Sequence, residues 1–253
     1  MKKALLQGRG LCKVFAQGQV KNKVLEQVDV DILEKDFTII MGPSGSGKST
    51  LLYALSQMDG VTEGTVSYKG KEITGLNEKQ MAKLRAEEFG FVFQQTHLVS
   101  NLTLLENVAV AGFVSKKGST SEIRHRAQTL LTRMGVEEAE NRLPSQVSGG
   151  EAQRAAIARA MIGTPGLLFA DEPTGALNRS HTREVLDLLT ALNQSGQSIL
   201  MVTHDLRAAV RGNRILYLED GKILDELKLP AYQAAQDRQR EEIINQWLSK
   251  LQW

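Results

Sequence analysis

Short apolar runs alternate along the chain with stretches whose apolar residues recur every three to four positions. That pattern predicts an α/β fold with a largely parallel sheet. Residues 37–41, 90–93, 167–170 and 198–202 are apolar without alternation, as strands covered by helices on both faces are. Two other stretches read as antiparallel. Gly64–Ile73 has strand-like flanks around Lys69-Gly70, and Ile215–Leu224 brackets Asp220-Gly221, a strong hairpin signal. The start, Ala4-Leu5-Leu6, reads as a first strand. Polar Gln7 and Arg9 cut it short of the roughly 7–15 apolar residues of a signal peptide.

Helical spacing is clearest in the middle. Ser119-Thr120-Ser121-Glu122 is a capping box, Ile123, Ala127, Leu130, Leu131 and Met134 then share a face, and Gly135 ends the run. Further helices are predicted over 50–55, 150–162 and 180–193. Past Pro230, Ile243, Ile244, Trp247, Leu248 and Leu251 lie on one helical face. That tail docks on its own domain, or on a second copy or partner, or, least favoured because its polar face is not strongly basic, on a membrane surface.

Composition narrows the function classes. The 253 residues hold 31 Lys and Arg against 29 Asp and Glu, a formal net charge of +2, with no clustered basic excess for nucleic acid. The 42% hydrophobic and 24% charged content is that of a globular protein. Cys12 is the only cysteine, so no internal disulfide forms. His97, His125 and His181 show no metal-ligand spacing with one another or with Cys12, and all four read as structural or surface residues. No apolar run reaches the ~18 residues that cross a bilayer. The expectation is a soluble chain that reaches any membrane through a partner.

Gly42-Pro43-Ser44-Gly45-Ser46-Gly47-Lys48-Ser49 matches G-x-x-x-x-G-K-[ST] at every fixed position. The buried run 37–41 precedes it, and Thr50 continues into a helix. In such a loop the glycines let backbone N–H groups face an anion, and the helix dipole adds to the attraction. Lys48 then reaches the β- and γ-phosphates, and Ser49 sets its hydroxyl on Mg²⁺. A second signal is Leu167-Leu168-Phe169-Ala170-Asp171-Glu172, an apolar run ending in two acids. Beside a phosphate cradle, Asp171 serves Mg²⁺ through water and Glu172 positions and polarises the attacking water. Alone, the same Asp-Glu-Pro-Thr could be a helix N-cap.

Val147-Ser148-Gly149-Gly150-Glu151-Ala152-Gln153-Arg154 resembles the signature motif of the ATP-binding cassette (ABC) ATPases, usually written LSGGQ, and lies before Asp171 at the family spacing. The other family motifs follow in order: Gln94 matches the Q-loop glutamine, His204 the switch histidine, Gly175-Ala176-Leu177-Asn178 the D-loop, and Phe15 the aromatic that stacks on adenine. The resemblance implies a P-loop NTPase with a RecA-like parallel-sheet core, an antiparallel β subdomain and an inserted helical subdomain at about 95–162. It covers 1–227 as one ATPase domain and leaves 228–253 as an amphipathic helical tail.

It further implies ATP and Mg²⁺ as cofactors and a catalytic set of Lys48, Gln94, Glu172 and His204. The cradle from Gly42 to Thr50 and Phe15 hold the nucleotide, and Ser49, Gln94 and Asp171 (through water) serve the metal. Two copies sandwich two ATP molecules head to tail, with Ser148, Gly149 and Gly150 of each closing the other's site. The motifs are similar to those of the macrolide-exporter, lipoprotein-release and cell-division branch, and the tail to bacitracin-type peptide-resistance ATPases. That branch partners a membrane permease with an extracytoplasmic domain, at the cytoplasmic face, for export, lipoprotein release or peptide resistance. Asn178 replaces the usual Asp of the D-loop, and Val147 and Glu151 replace Leu and Gln of the signature. These departures keep open a soluble or regulatory ABC ATPase with weak or no turnover. The stretch between Gln94 and Ser148 is too short for the coiled coil of the DNA-acting members.

Overall fold

The structure is a computed structural model that describes residues 3–17, 20–115 and 118–251. The chain opens with β1 (Ala4–Gln17), β2 (Val20–Leu33), β3 (Phe37–Met41), α1 (Lys48–Leu55), β4 (Glu63–Tyr68) and the short β5 (Lys71–Glu72). A middle stretch holds α2 (Glu78–Glu88), β6 (Phe89–Phe93), α3 (Leu104–Ser115), α4 (Thr120–Arg133), α5 (Gly149–Met161), β7 (Leu167–Asp171) and α6 (Arg179–Gln194). The last stretch carries β8 (Ser198–Val202), the one-turn α7 (Leu206–Ala209), β9 (Arg214–Glu219), β10 (Lys222–Lys228) and α8 (Asp237–Lys250). Two compact units result: residues up to Asn77 together with those from Ser198 onward, and residues Glu78–Gln197.

In the first unit, β2, β1, β4 and β5 pair antiparallel in that order. Beside them β3 lies between β8 and β9, parallel to both, while β10 returns antiparallel on β9. Every residue of β3 and β8 is buried, as their unbroken apolar runs require. Both predicted hairpins form. Their turns put Lys69 and Gly70, and Asp220 and Gly221, at positive φ, the geometry that matches the right-handed twist of the flanking strands. Leu51, Leu52 and Leu55 fix α1 with their side chains fully buried, about 1.5–3 kcal/mol each relative to exposure. The tail helix α8 also belongs to this unit and buries Ile244, Trp247 and Leu248.

In the second unit, β6 and β7 pair parallel from Phe89↔Leu167 to Phe93↔Asp171. Phe91 stacks on Phe169 with centroids 5.3 Å apart, and Phe89 meets Phe169 edge-on at 5.1 Å, which locks the two strands in register. Helices α4, α5 and α6 lie within a residue or two of their predicted spans. Strand β2 and helices α2 and α3 are additions to the sequence reading.

Three helices of this unit start with the same device. Thr103 with Glu106, Ser119 with Glu122, and Ser148 with Glu151 form reciprocal hydroxyl–amide and carboxylate–amide bonds. The backbone N–H donated to each carboxylate, then the hydroxyl, holds Glu106, Glu122 and Glu151 below the ordinary 4.5. A depressed folded value means that the bonds stabilise fully above the unfolded pKa and are lost as pH falls through the folded one. The thermal midpoint should therefore drop between about pH 5 and pH 3. A variant with all three glutamates changed to Gln should show a shallower drop, and equal slopes would refute the assignment.

Candidate functional site

The cradle lies in the first unit, where β3 delivers it at the end of a buried strand. Gly42, at φ 152, passes so close to β9 that a Cβ would stand 1.9 Å from the Leu218 carbonyl oxygen. Gly47, the left-handed N-cap of α1 at φ 99, would bring a Cβ within 2.8 Å of the Val24 carbonyl oxygen. Only glycine fits either place. Helix α1 begins at Lys48, two residues before the predicted Thr50, because Gly47 supplies the cap. Lys48 is 9% exposed and donates from Nζ to the carbonyls of Gly42 (2.9 Å) and Pro43 (2.8 Å), which folds the ammonium over the loop.

This loop fits a nucleotide's phosphates. Among the described residues, the Ser46 hydroxyl is one of two buried side-chain oxygens without a hydrogen-bond partner. An unpaired buried hydroxyl is costly, and a phosphate oxygen would satisfy it. Beyond its chain neighbours, no heavy atom lies within 4 Å of where a Cβ on Gly45 would stand, so the loop is open at that point. Ser44 is exposed and Ser49 and Thr50 are half-buried on the first turn of α1.

Two more predicted residues fall in this unit. Phe15 stands on β1 with 45% of its surface exposed, and the Lys13 ammonium lies 5.0 Å from its ring centroid. Lys13 is itself tied to Asp59 and to the Gly60 carbonyl, both at 2.5 Å. An exposed aromatic ring is a surface on which a planar base can stack. His204 is exposed directly after β8, in the segment leading to α7. There Thr203 Oγ accepts from the Asp205 N–H, and the Asp205 carboxylate caps α7 by accepting from the Arg207 N–H.

The remaining predicted residues are in the second unit. Asp171 ends β7 and is 9% exposed, and the half-buried Glu172 follows in the left-handed conformation at φ 46. Such backbone is strained for a non-glycine residue and is found where a side chain must be aimed. The helix-cap alternative for this pair does not hold: α6 starts at Arg179, and its N-cap is Asn178, which accepts from the His181 N–H and the Ser180 hydroxyl. Asn178 thus has a capping role that needs no charge. The two carboxylates are hard oxygen donors of the kind that suits Mg²⁺.

Ser148 is the N-cap of α5, whose first residues are Gly149 and Gly150, and the His181 ring lies against Gly150. Glu151 accepts from the Ser148 N–H (2.8 Å) and hydroxyl (2.7 Å), so the departure from Gln engages the serine itself. Gln94 is exposed after β6, close enough to Gly175 that a Cβ there would meet its Nε2 at 2.9 Å.

Two residues near Gln94 escaped the sequence reading. Gln153, 1% exposed, donates to the Phe93 carbonyl at 2.9 Å, and Arg159 donates to those of Thr96 (2.7 Å) and His97 (2.6 Å). Burial draws the Arg159 guanidinium below its usual value. Together they fasten the segment around Gln94 to the signature helix. Polar residues on the buried side of an otherwise alanine-rich helix were the available signal.

Comparison with known proteins shows the family. The sequence model of the ABC transporter family matches residues 25–175. The macrolide export ATP-binding/permease protein MacB of Mannheimia succiniciproducens is 40% identical over 222 residues, 88% of this chain and 34% of that protein. The chain thus spans about a third of MacB's length. An uncharacterised ABC transporter ATP-binding protein of Methanocaldococcus jannaschii, MJ1508, is 39% identical over 87% of this chain and 98% of its own length. Two solved structures of the cassette MJ0796 superpose with TM-scores of 0.83 and 0.84 at 38% identity, covering 90% of this chain and all of theirs. Both are dimeric, and one is a post-hydrolysis state bound to ADP and Pi.

Proposed function

The chain belongs to the ABC transporter family and is an ATPase of that fold, and from this premise we propose that two copies pair head to tail around two ATP molecules to drive an integral membrane partner. The buried Ser46 hydroxyl without a hydrogen-bond partner, in a loop whose carbonyls at Gly42 and Pro43 hold the Lys48 ammonium, supports the nucleotide-binding part of this reading, because a phosphate oxygen would satisfy it. The cradle from Gly42 to Thr50 binds the phosphates by backbone N–H groups and Lys48. Phe15 stacks on the adenine. Glu172 orients the attacking water and takes its proton, His204 holds the γ-phosphate, and Gln94 reports its presence to the helical part of the chain. Mg²⁺ held by Ser49 and Gln94, and by Asp171 through water, would neutralise charge building on the phosphate oxygens.

Ser148, Gly149 and Gly150 face the other copy's γ-phosphate, as the helix N-terminus of α5 allows. The Glu151 carboxylate on Ser148 opposes that approach with a like charge. Glu151→Gln keeps the capping box and removes the charge. ATP-dependent pairing should tighten and KM should fall about two- to fivefold. Sedimentation and steady-state hydrolysis test this, and an unchanged or raised KM would show that Glu151 is neutral.

The membrane partner docks on the stretch from Gln94 to about Ser115, where Val99, Val110, Phe113 and Val114 expose apolar side chains. Crosslinks that map elsewhere would refute that surface. No helix among the described residues is long and apolar enough to cross a membrane. The site of action is the cytoplasmic face, and the work is export, lipoprotein release or antimicrobial-peptide resistance by a permease with an extracytoplasmic domain. Affinity purification of tagged protein from native membranes with ATP and Mg²⁺ tests this. A stoichiometric membrane protein is the expected companion, and soluble companions alone would overturn the proposal.

A further inference from the structure

Helix α7 has four residues, too few to be stable in isolation. Asp205 caps its start, directly after His204. Past its end, the Val210 and Gly212 carbonyls have no further helical turn to bond to. Both are taken by one side chain from the tail. Arg240 on α8 is 2% exposed, and its guanidinium donates to Val210 O (2.8 Å), Gly212 O (2.5 Å) and Pro230 O (2.9 Å). A cation here also complements the negative end of the helix.

The guanidinium is held in turn. The Tyr232 ring has Arg240 at 5.6 Å and Arg211 at 4.5 Å from its centroid, and its hydroxyl donates to Asp237 at 2.5 Å on the first turn of α8. Farther along, Trp247 donates to Asp225 of β10 at 2.7 Å and packs edge-on against Tyr217. The helix is therefore anchored at both ends. Its buried arginine is spent on the segment that follows the histidine, beyond the residues matched by the family model.

We propose that Arg240 is a positioning residue for His204: by closing the carbonyls beyond α7 it holds the one-turn helix in place, so that docking of the tail sets turnover. Nε, Nη1 and Nη2 each reach a different carbonyl across the planar guanidinium, a spread that the single ammonium nitrogen of Lys does not reproduce. Arg240 touches no substrate. Its removal should lower kcat and leave ATP binding alone.

The inference rests on the proposed role of His204, and the test separates the two. Hydrogen exchange and single-turnover hydrolysis are measured on the full chain as wild type, Arg240→Lys, Arg240→Met, His204→Ala and the Arg240→Lys/His204→Ala double variant. In Arg240→Lys, exchange across residues 204–212 should rise roughly ten- to a hundredfold, the loss expected for charge-assisted bonds, with β3 unchanged. The rate constant should fall by a similar factor at constant KM, and by nothing further in the His204→Ala background. Should Arg240→Met not fold, Arg240→Lys decides. Unchanged exchange, unchanged kcat or a loss that multiplies in the double variant overturns the inference. A wild type without hydrolysis would instead sink the assigned activity, and the exchange result would still decide whether Arg240 holds the segment.

Discussion

Glu172→Gln should reduce ATP hydrolysis by roughly 10²–10⁴-fold while leaving ATP binding intact, the loss that follows removal of a general base. Strand β7, buried along its whole length, delivers the pair rigidly, and the left-handed backbone at φ 46 then turns Glu172 away from the strand direction. The Gly175 N–H donates to the Glu172 carbonyl at 3.0 Å and closes the turn. Gln has the same shape and fits the same turn, so the fold should be kept. It cannot take a proton from water at neutral pH. With hydrolysis blocked, the proposed ATP-bound pair of copies should open only by releasing ATP, and a dimer should persist in sedimentation with ATP and Mg²⁺ but not with ADP. Hydrolysis within tenfold of wild type would mean that another group activates the water.

Lys48→Ala should have the next largest effect, acting on binding as well as on rate. Its ammonium is nearly buried and already bonded to the Gly42 and Pro43 carbonyls, so the loop is shaped around a positive charge before any nucleotide arrives. Removal of a charge-assisted bond of about 1.5–3 kcal/mol lowers ATP affinity roughly 10–100-fold. In the proposed role the same charge would stabilise the transferring phosphoryl group, and its loss should cost the rate a further ~10²–10³-fold. Calorimetric titration with ATP checks the first figure and single-turnover kinetics the second. The apolar side of α1, with Leu51, Leu52 and Leu55, is untouched, so circular dichroism should be unchanged. ATP affinity within threefold of wild type would remove Lys48 from the site.

How far the fold was legible depended on how local its signal was. Helix α4 could be read because Ser119, Glu122 and the apolar face from Ile123 to Met134 lie in one unbroken stretch of chain. Helix α2 buries only Met81 and carries no stripe to detect. In α3 the apolar residues run nearly all round, from Leu104 to Val114, so the period disappears, although Thr103 and Glu106 marked its start. Strand β2 alternates cleanly only in Val28-Asp29-Val30-Asp31-Ile32, and its pairing with β1 shifts register at several places, Gly8/Leu11 among them. Each shift breaks the two-residue period on which strand reading relies.

The residues assigned to chemistry divide in the same way. The cradle, the acid pair and the signature turn each occupy a few consecutive positions, and what they do follows from backbone geometry that neighbours impose on one another. For these the amino-acid order was enough to propose the chemistry, whereas the need for glycine at 42 and 47 comes from the Leu218 and Val24 carbonyls, which only the folded chain brings close. What holds the neighbouring segments is different. Gln153 and Arg159 on the carbonyls around Gln94, and Arg240 on those after α7, join groups dozens of residues apart in the chain. A donor of that kind has no preferred partner until loops of this length have closed, an entropic cost met by burial of apolar surface elsewhere. Only then does a polar residue on a helix face have one carbonyl within reach rather than water, and so only the packed molecule could assign it.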